Sequence, residues 1–181
     1  MCVSKTALLV VDMLNDYRHP DAERLAVSAA DVVAPLSQLI NDVRARDDVD
    51  LVYVNDNHGD FAAGREDILR AALGGARPDL VEPIAPQPDC RFLQKVRHSA
   101  FYSTPLGYLL GQLGTTRVLV TGQVTEQCIL YTALDAYVRH FEVVVPVDAV
   151  AHIDAELGAA AVKMMQRNMN ADITTVADCL P

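Results

Sequence analysis

Short, almost unbroken apolar runs alternate along this chain with longer stretches in which apolar residues return every three or four positions. The short runs, at 7–12, 51–55, 92–96, 117–121, 142–147 and 173–176, read as β-strands. Their lack of strict polar alternation predicts strands covered on both faces, the condition of a parallel sheet. The longer stretches read as helices. Residues 31–46 put Val32, Leu36, Leu39, Ile40 and Val43 on one side, with Pro35 near the start, where a missing N–H is tolerated. Thr104-Pro105 predicts an N-cap followed by a first-turn proline, opening a helix that stops near Gly114. Further helices are predicted at about 65–73, at 126–140 and at 154–169, the last beginning at Asp154 with Leu157, Val162, Met165 and Met169 as its core stripe.

Strands alternating with helices predict right-handed βαβ units. The expected fold is α/β: a three-layer α-β-α Rossmann-like domain over residues 1–181 around a central parallel six-stranded sheet of order 3-2-1-4-5-6. The Pro-containing stretch 74–88 reads as a long polar loop on the surface, of the kind that borders a site.

Composition narrows the function classes. An apolar fraction of 51% supports a compact core, and a net charge of −9 argues against a nucleic-acid or anionic-membrane surface. No apolar run reaches transmembrane length, and no signal-peptide pattern precedes the first strand. Cys2, Cys90, Cys128 and Cys179 are scattered without a CxxC pair, which predicts reduced thiols and a cytoplasmic location.

In a parallel α/β sheet, sites form at the carboxyl ends of strands where the strand order reverses. Asp12 ends the first strand, Lys95 ends the third, and Cys128 follows the fourth after Gly122. With strands one and four adjacent, Asp12 and Cys128 converge. Thr125 reads as an N-cap, which puts Cys128 in a first helical turn where partial positive charge lowers a thiol pKa. Alkylation of Cys128 is therefore expected below the pH at which an ordinary thiol reacts. Taken singly, each residue also fits a structural role: a buried thiol as apolar filler, an aspartate in a turn, a lysine reaching water.

Three ordered motifs resemble the isochorismatase-like cysteine hydrolases, the superfamily of nicotinamidases, N-carbamoyl amidohydrolases and isochorismatase. They are Asp12-Met-Leu-Asn-Asp-Tyr17, with Leu14 in place of a frequent Gln; Lys95 followed by Ser99-Ala-Phe101; and Gly122-Gln-Val-Thr-Glu-Gln-Cys128. The resemblance covers essentially the whole chain. It implies Cys128 as nucleophile, Asp12 as general base and Lys95 as the charge that steadies both, acting on a C–N bond of a small amide or carbamoyl compound through a thioester. It also implies a cis peptide at Gln123–Val124, with the Val124 and Cys128 backbone N–H groups as an oxyanion hole. Alternatives are vinyl-ether hydrolysis of the isochorismatase type and a catalytically idle binding or regulatory protein.

Nicotinamidases carry a metal site that begins Asp-x-His. Asp56-Asn-His58 matches that start, but the later histidines are missing, so no metal or other cofactor is expected. Substrate-pocket candidates are Asn15, Tyr17, His58, Phe61, Phe101 and Tyr102. His19, His140 and His152 read as surface residues, and Asp148 as a turn or cap. The resemblance further implies a homo-oligomer, dimer or tetramer, with a small-molecule substrate as the principal partner.

Overall fold

A computed structural model describes residues 5–180, so Cys2 lies outside the described residues. Among the described residues seven strands form one sheet: β1 (Lys5–Val11), β2 (Val49–Asp56), β3 (Arg91–Lys95), β4 (Thr115–Gln123), β5 (Glu142–Pro146), β6 (Val150–Ala151) and β7 (Asp172–Thr174). Their order is β3-β2-β1-β4-β5-β7, all parallel, with β6 pairing the end of β4 at Gly122 and Gln123. The expected order 3-2-1-4-5-6 is therefore the observed one, with the sixth predicted strand as β7. The two-residue β6 is an addition too short to leave a hydrophobic pattern.

Alternation along the buried strands divides the core in two. Leu8, Val10, Tyr53, Leu119 and Val144 face one side, where α1 (Ala22–Arg44) and α2 (Arg65–Leu73) pack. Leu9, Val11, Val54, Val118, Val120 and Val145 face the other, under α3 (Leu106–Leu113), α4 (Leu130–Val138) and α5 (Ala155–Asn168). This is the three-layer arrangement in which near-continuous apolar strands are required.

Several local expectations are corrected. Helix α1 starts at Ala22 and not near residue 31, which places Pro35 inside it. The Asp31 carbonyl that Pro35 leaves without its helical donor belongs to an exposed residue, so its desolvation cost is small. The stretch 74–88 is not a polar surface loop. It forms two 3₁₀ turns, Pro78–Leu80 and Glu82–Ile84, that sink Leu80, Val81 and Ile84 into the α1 side of the core. The Tyr53 hydroxyl donates to the Ile84 carbonyl at 2.8 Å and fastens that segment to β2. In α5, Met165 and Met169 are buried but Leu157 is 58% exposed, so the core stripe is narrower than its sequence implied.

Asp154 caps α5 as expected, whereas the N-cap of α3 is Pro105, one residue after the expected Thr104. Thr104 Oγ1 accepts from the Leu106 N–H, and α3 ends at Gly114 in the left-handed region, which glycine adopts without a Cβ clash. Asp154 Oδ1 accepts from the Glu156 and Leu157 N–H groups and opens α5. Asp148 ties the chain together, since its Oδ1 accepts from the Val176 N–H at 2.8 Å. Of the histidines, His140 is exposed, but His152 is half-buried with Nδ1 3.2 Å from Ser28 Oγ, and His19 Nε2 is buried without a partner.

Candidate active site

The carboxyl ends of β1 to β4 converge because their registers are aligned. Val11 sits beside Val54 and Gly122, and Asp56 sits beside Lys95. Asp12, just after β1, and Asp56 and Lys95, the last residues of β2 and β3, therefore meet in one crevice, which Cys128 reaches from the turn after β4. Gly122 makes the closeness possible: a Cβ there would lie 2.0 Å from the Val11 carbonyl oxygen, and its φ of +111° also favours glycine.

Lys95 is at the centre. It is 1% exposed, with Nζ 2.8 Å from Asp12 Oδ2, 3.2 Å from Asp56 Oδ2 and 3.7 Å from Cys128 Sγ. Asp12 Oδ1 accepts from the Asp56 backbone N–H at 2.8 Å, and a further hydrogen bond joins its carboxyl to the Cys128 thiol. Cys128 itself is 9% exposed, so its sulfur is shielded without being sealed off.

The electrostatics correct one expectation. Burial pushes the Cys128 thiol up, the Asp12 charge adds to this, and Lys95 with a hydrogen bond from the Val124 backbone opposes it. The net direction is upward, not downward. Burial likewise raises the Asp12 carboxyl, against the pull of Lys95 and the hydrogen bonds from Cys128 and Asp56. For Lys95 burial acts to lower the pKa, but attraction by Asp12, Cys128 and Asp56 outweighs it and the ammonium is held charged. The resting arrangement is thus a thiol beside a carboxylate of raised basicity, with a fixed cation facing both.

The turn that presents Cys128 also differs from expectation. Thr125 does not cap a helix: Val124 precedes the turn, no side chain caps it, and Thr125 Oγ1 is buried without a partner. Residues Thr125–Ile129 form a π turn, closed by the Ile129 N–H to the Val124 carbonyl at 3.1 Å, and α4 begins only at Leu130. Wide turns of this kind occur often at functional sites. The Gln123–Val124 peptide bond is cis.

The pocket candidates separate. Asn15 Oδ1 accepts from the Tyr17 N–H at 2.7 Å and shapes the turn after β1. Tyr17 is 4% exposed, with its hydroxyl on Gln123. Phe101 belongs to the same apolar cluster as Cys128, packs on Phe141 and lies under the Arg139 guanidinium. His58 lines a cavity of about 190 Å³ with Leu14, Asp16, Asn57 and Ile68. Phe61 is 81% exposed, and Tyr102, 57% exposed, lies on a separate groove with His98 and Tyr131.

Both carboxylate oxygens of Asp56 are already engaged. Asp56 Oδ2 is held by Lys95, and its Oδ1 accepts from the His58 backbone N–H at 2.8 Å. Among the described residues no three His, Cys, Asp or Glu side chains are grouped to hold a metal ion. Sequence reasoning set Asp56 among weak metal candidates and missed it as a second partner of Lys95. The register pairing of these two strand-end residues is the signal that would have found it.

The Isochorismatase domain model matches residues 6–178, and the chain belongs to that family. It is 33% identical over 175 residues to the isochorismatase family protein YaaI of Bacillus subtilis (strain 168), an alignment covering 97% of this chain and 96% of that protein. The fold is similar to an isochorismatase-like hydrolase from Alkaliphilus metalliredigens, with a TM-score of 0.78, 29% identity and 96% of each chain covered. It is also similar to an N-carbamoylsarcosine amidase from Thermoplasma acidophilum, with a TM-score of 0.73, 27% identity and 96% and 98% coverage. Among the described residues no helix is long and apolar enough to cross a membrane.

Proposed function

We propose that this hydrolase cleaves the C–N bond of a small amide or carbamoyl compound, with Cys128 as nucleophile, Asp12 as proton carrier and Lys95 as electrostatic anchor. The observation that carries this reading is the buried Lys95 ammonium, within 2.8 Å of Asp12 and 3.7 Å of Cys128. A lysine kept ionised at 1% exposure beside a thiol and a carboxylate needs its partners, and together they make a proton-transfer unit. The amidase among the similar structures supports the amide as substrate class.

Each step balances. Asp12 takes the thiol proton as Cys128 Sγ bonds to the carbonyl carbon, and the carbonyl π-electrons move to oxygen. The Val124 and Cys128 N–H groups are proposed as donors to that oxygen. Collapse of the tetrahedral species breaks the C–N bond, and the departing nitrogen takes the proton back from Asp12, leaving a thioester. Water then attacks the thioester as Asp12 accepts its proton, and the C–S bond breaks as Asp12 returns that proton to sulfur, giving the acid and restoring the thiol. Lys95 remains charged throughout and offsets whichever of Asp12 or Cys128 is anionic.

The test is a panel of small amides, ureido acids and isochorismate, scored for ammonia and for pyruvate release. Ammonia from at least one amide or ureido compound, abolished in Cys128→Ala with the fold unchanged by circular dichroism, is the expected result. Pyruvate release that survives Cys128→Ala would replace this reading with vinyl-ether hydrolysis.

A further inference from the structure

Gln123 ends β4 with its side chain buried, and both ends of its amide are engaged. Nε2 donates to the Asp12 backbone carbonyl at 2.8 Å, and Oε1 accepts from the Tyr17 hydroxyl at 3.2 Å. Chemistry fixes this orientation from both sides. A carbonyl oxygen can only accept, and a protonated phenol meets the amide oxygen as donor. Burial pushes the Tyr17 hydroxyl up to about 12, so it keeps its proton over the whole working range.

Asp12 is a residue whose backbone must be held. Its φ is +54°, the left-handed region that non-glycine residues enter at a cost. Its N–H donates to the Val54 carbonyl at 3.0 Å, and the following turn is clamped from β2, where the Asn55 amide exchanges hydrogen bonds with both backbone groups of Leu14. From the β4 side, the Gln123 amide supplies the bond to the Asp12 carbonyl. Gln123 is therefore a link between the strand that presents Cys128 and the peptide that presents the carboxylate.

We infer that Gln123, with Tyr17 behind it, is a positioning residue that holds the Asp12 peptide so that its carboxylate faces Lys95 and Cys128. Tyr17 acts through Gln123 and not by touching substrate, which moves it out of the pocket set. The inference rests on the role proposed above for Asp12. It deepens that reading by naming what fixes the proton carrier in place.

The readout is the ultraviolet absorbance of the Cys128 thiolate against pH, taken as the difference from Cys128→Ala, which needs no substrate. Three charged groups bear on that sulfur: Asp12 from β1, Lys95 from β3 and, through Lys95, Asp56 from β2. Asp12→Asn removes the neighbouring negative charge and is expected to lower the thiolate midpoint by about one pH unit or more. Gln123→Met keeps the length of the side chain without its hydrogen bonds. It frees the Asp12 peptide and should move the midpoint most of the way to the Asp12→Asn value. Tyr17→Phe should move it the same way by a smaller step, and the double variant should match Gln123→Met alone.

A midpoint that stays at the wild-type value in both Gln123→Met and Tyr17→Phe, while Asp12→Asn lowers it, overturns this inference and leaves the proposed function standing. If Asp12→Asn itself leaves the midpoint unmoved, Asp12 is not coupled to Cys128 and the proposed function falls with it. Should Gln123→Met not fold, Tyr17→Phe decides alone, since it removes a single oxygen atom.

Discussion

Lys95 sets the electrostatics of the site at the scale of one side chain. Its ammonium sits between Asp12 and Asp56 with almost no contact with water, so its removal leaves two carboxylates facing each other. Lys95→Met is expected to cost about 3–5 kcal/mol of stability, the range for breaking a buried ion pair by deleting one partner. It should also raise the Cys128 thiolate midpoint further, because Lys95 is the charge that opposes burial and Asp12 there. Urea unfolding and thiolate absorbance check the two effects separately, and a midpoint that falls or stays fixed would deny Lys95 its electrostatic role. Asp12, Lys95 and Cys128 were legible in the chain because each stands at a strand end inside a short motif. Asp56 and Gln123 were not, because their partners come from strand register and from a backbone carbonyl over a hundred positions away. The direction of the thiol shift was misread for a related reason. Helix-end charge is visible locally, whereas burial and a carboxylate from another strand are tertiary facts.

At the scale of elements, the strands were recovered within a few residues because buried parallel strands write themselves as apolar runs. Helix α1 was truncated because proline weighs heavily as a breaker in any local reading. What overrides it is the nine-residue buried face running from Leu25 to Val43, which anchors both halves of the helix to the sheet. Pro35→Ala tests that balance. Alanine restores a donor to the Asp31 carbonyl and relieves the ring clash, a gain of up to about 3 kcal/mol. Against this stands the greater freedom of the unfolded chain, about 0.4–1 kcal/mol. The net expectation is stabilisation by about 1–2 kcal/mol, read as a rise of about 2–8 °C in thermal midpoint. A lower midpoint would mean that Pro35 fits a bend on which the packing of α1 depends. The 74–88 segment was misread for the opposite reason. Its prolines and glycines mark turns correctly, but the three large apolar residues among them, Leu80, Val81 and Ile84, are too few for periodicity to register.

For the molecule as a whole, the placement of ionisable groups has a consequence for pH stability. Cys128, Cys179, Tyr17 and Tyr53 all lie in the buried core, on one side of the sheet or the other. Burial raises all four, Tyr17 to about 12 and Cys179 to about 11. In the unfolded chain thiols ionise near pH 8.5 and phenols near pH 10. Between those values and the raised ones the folded protein holds more protons than the unfolded chain, so stability falls as pH rises. Lys95 acts in the same sense, since its raised pKa contributes stability below the ordinary lysine range that is lost as pH climbs through the folded value. Asp12 follows the same sign: its stability penalty grows as pH rises from the ordinary carboxylate range through its raised pKa. Each group contributes about 1.4 kcal/mol per pH unit within its window. Urea unfolding at a series of pH values should therefore show a decline that begins near pH 8.5 with the two thiols and steepens above pH 10 as the two phenols join. The thiol part is separable. A Cys128→Ala, Cys179→Ala variant should lose the slope between about pH 8.5 and 10 while keeping, at reduced steepness, the phenol part of the decline above it. If that variant declines as steeply as the wild type over the first limb, the buried thiols are not its source.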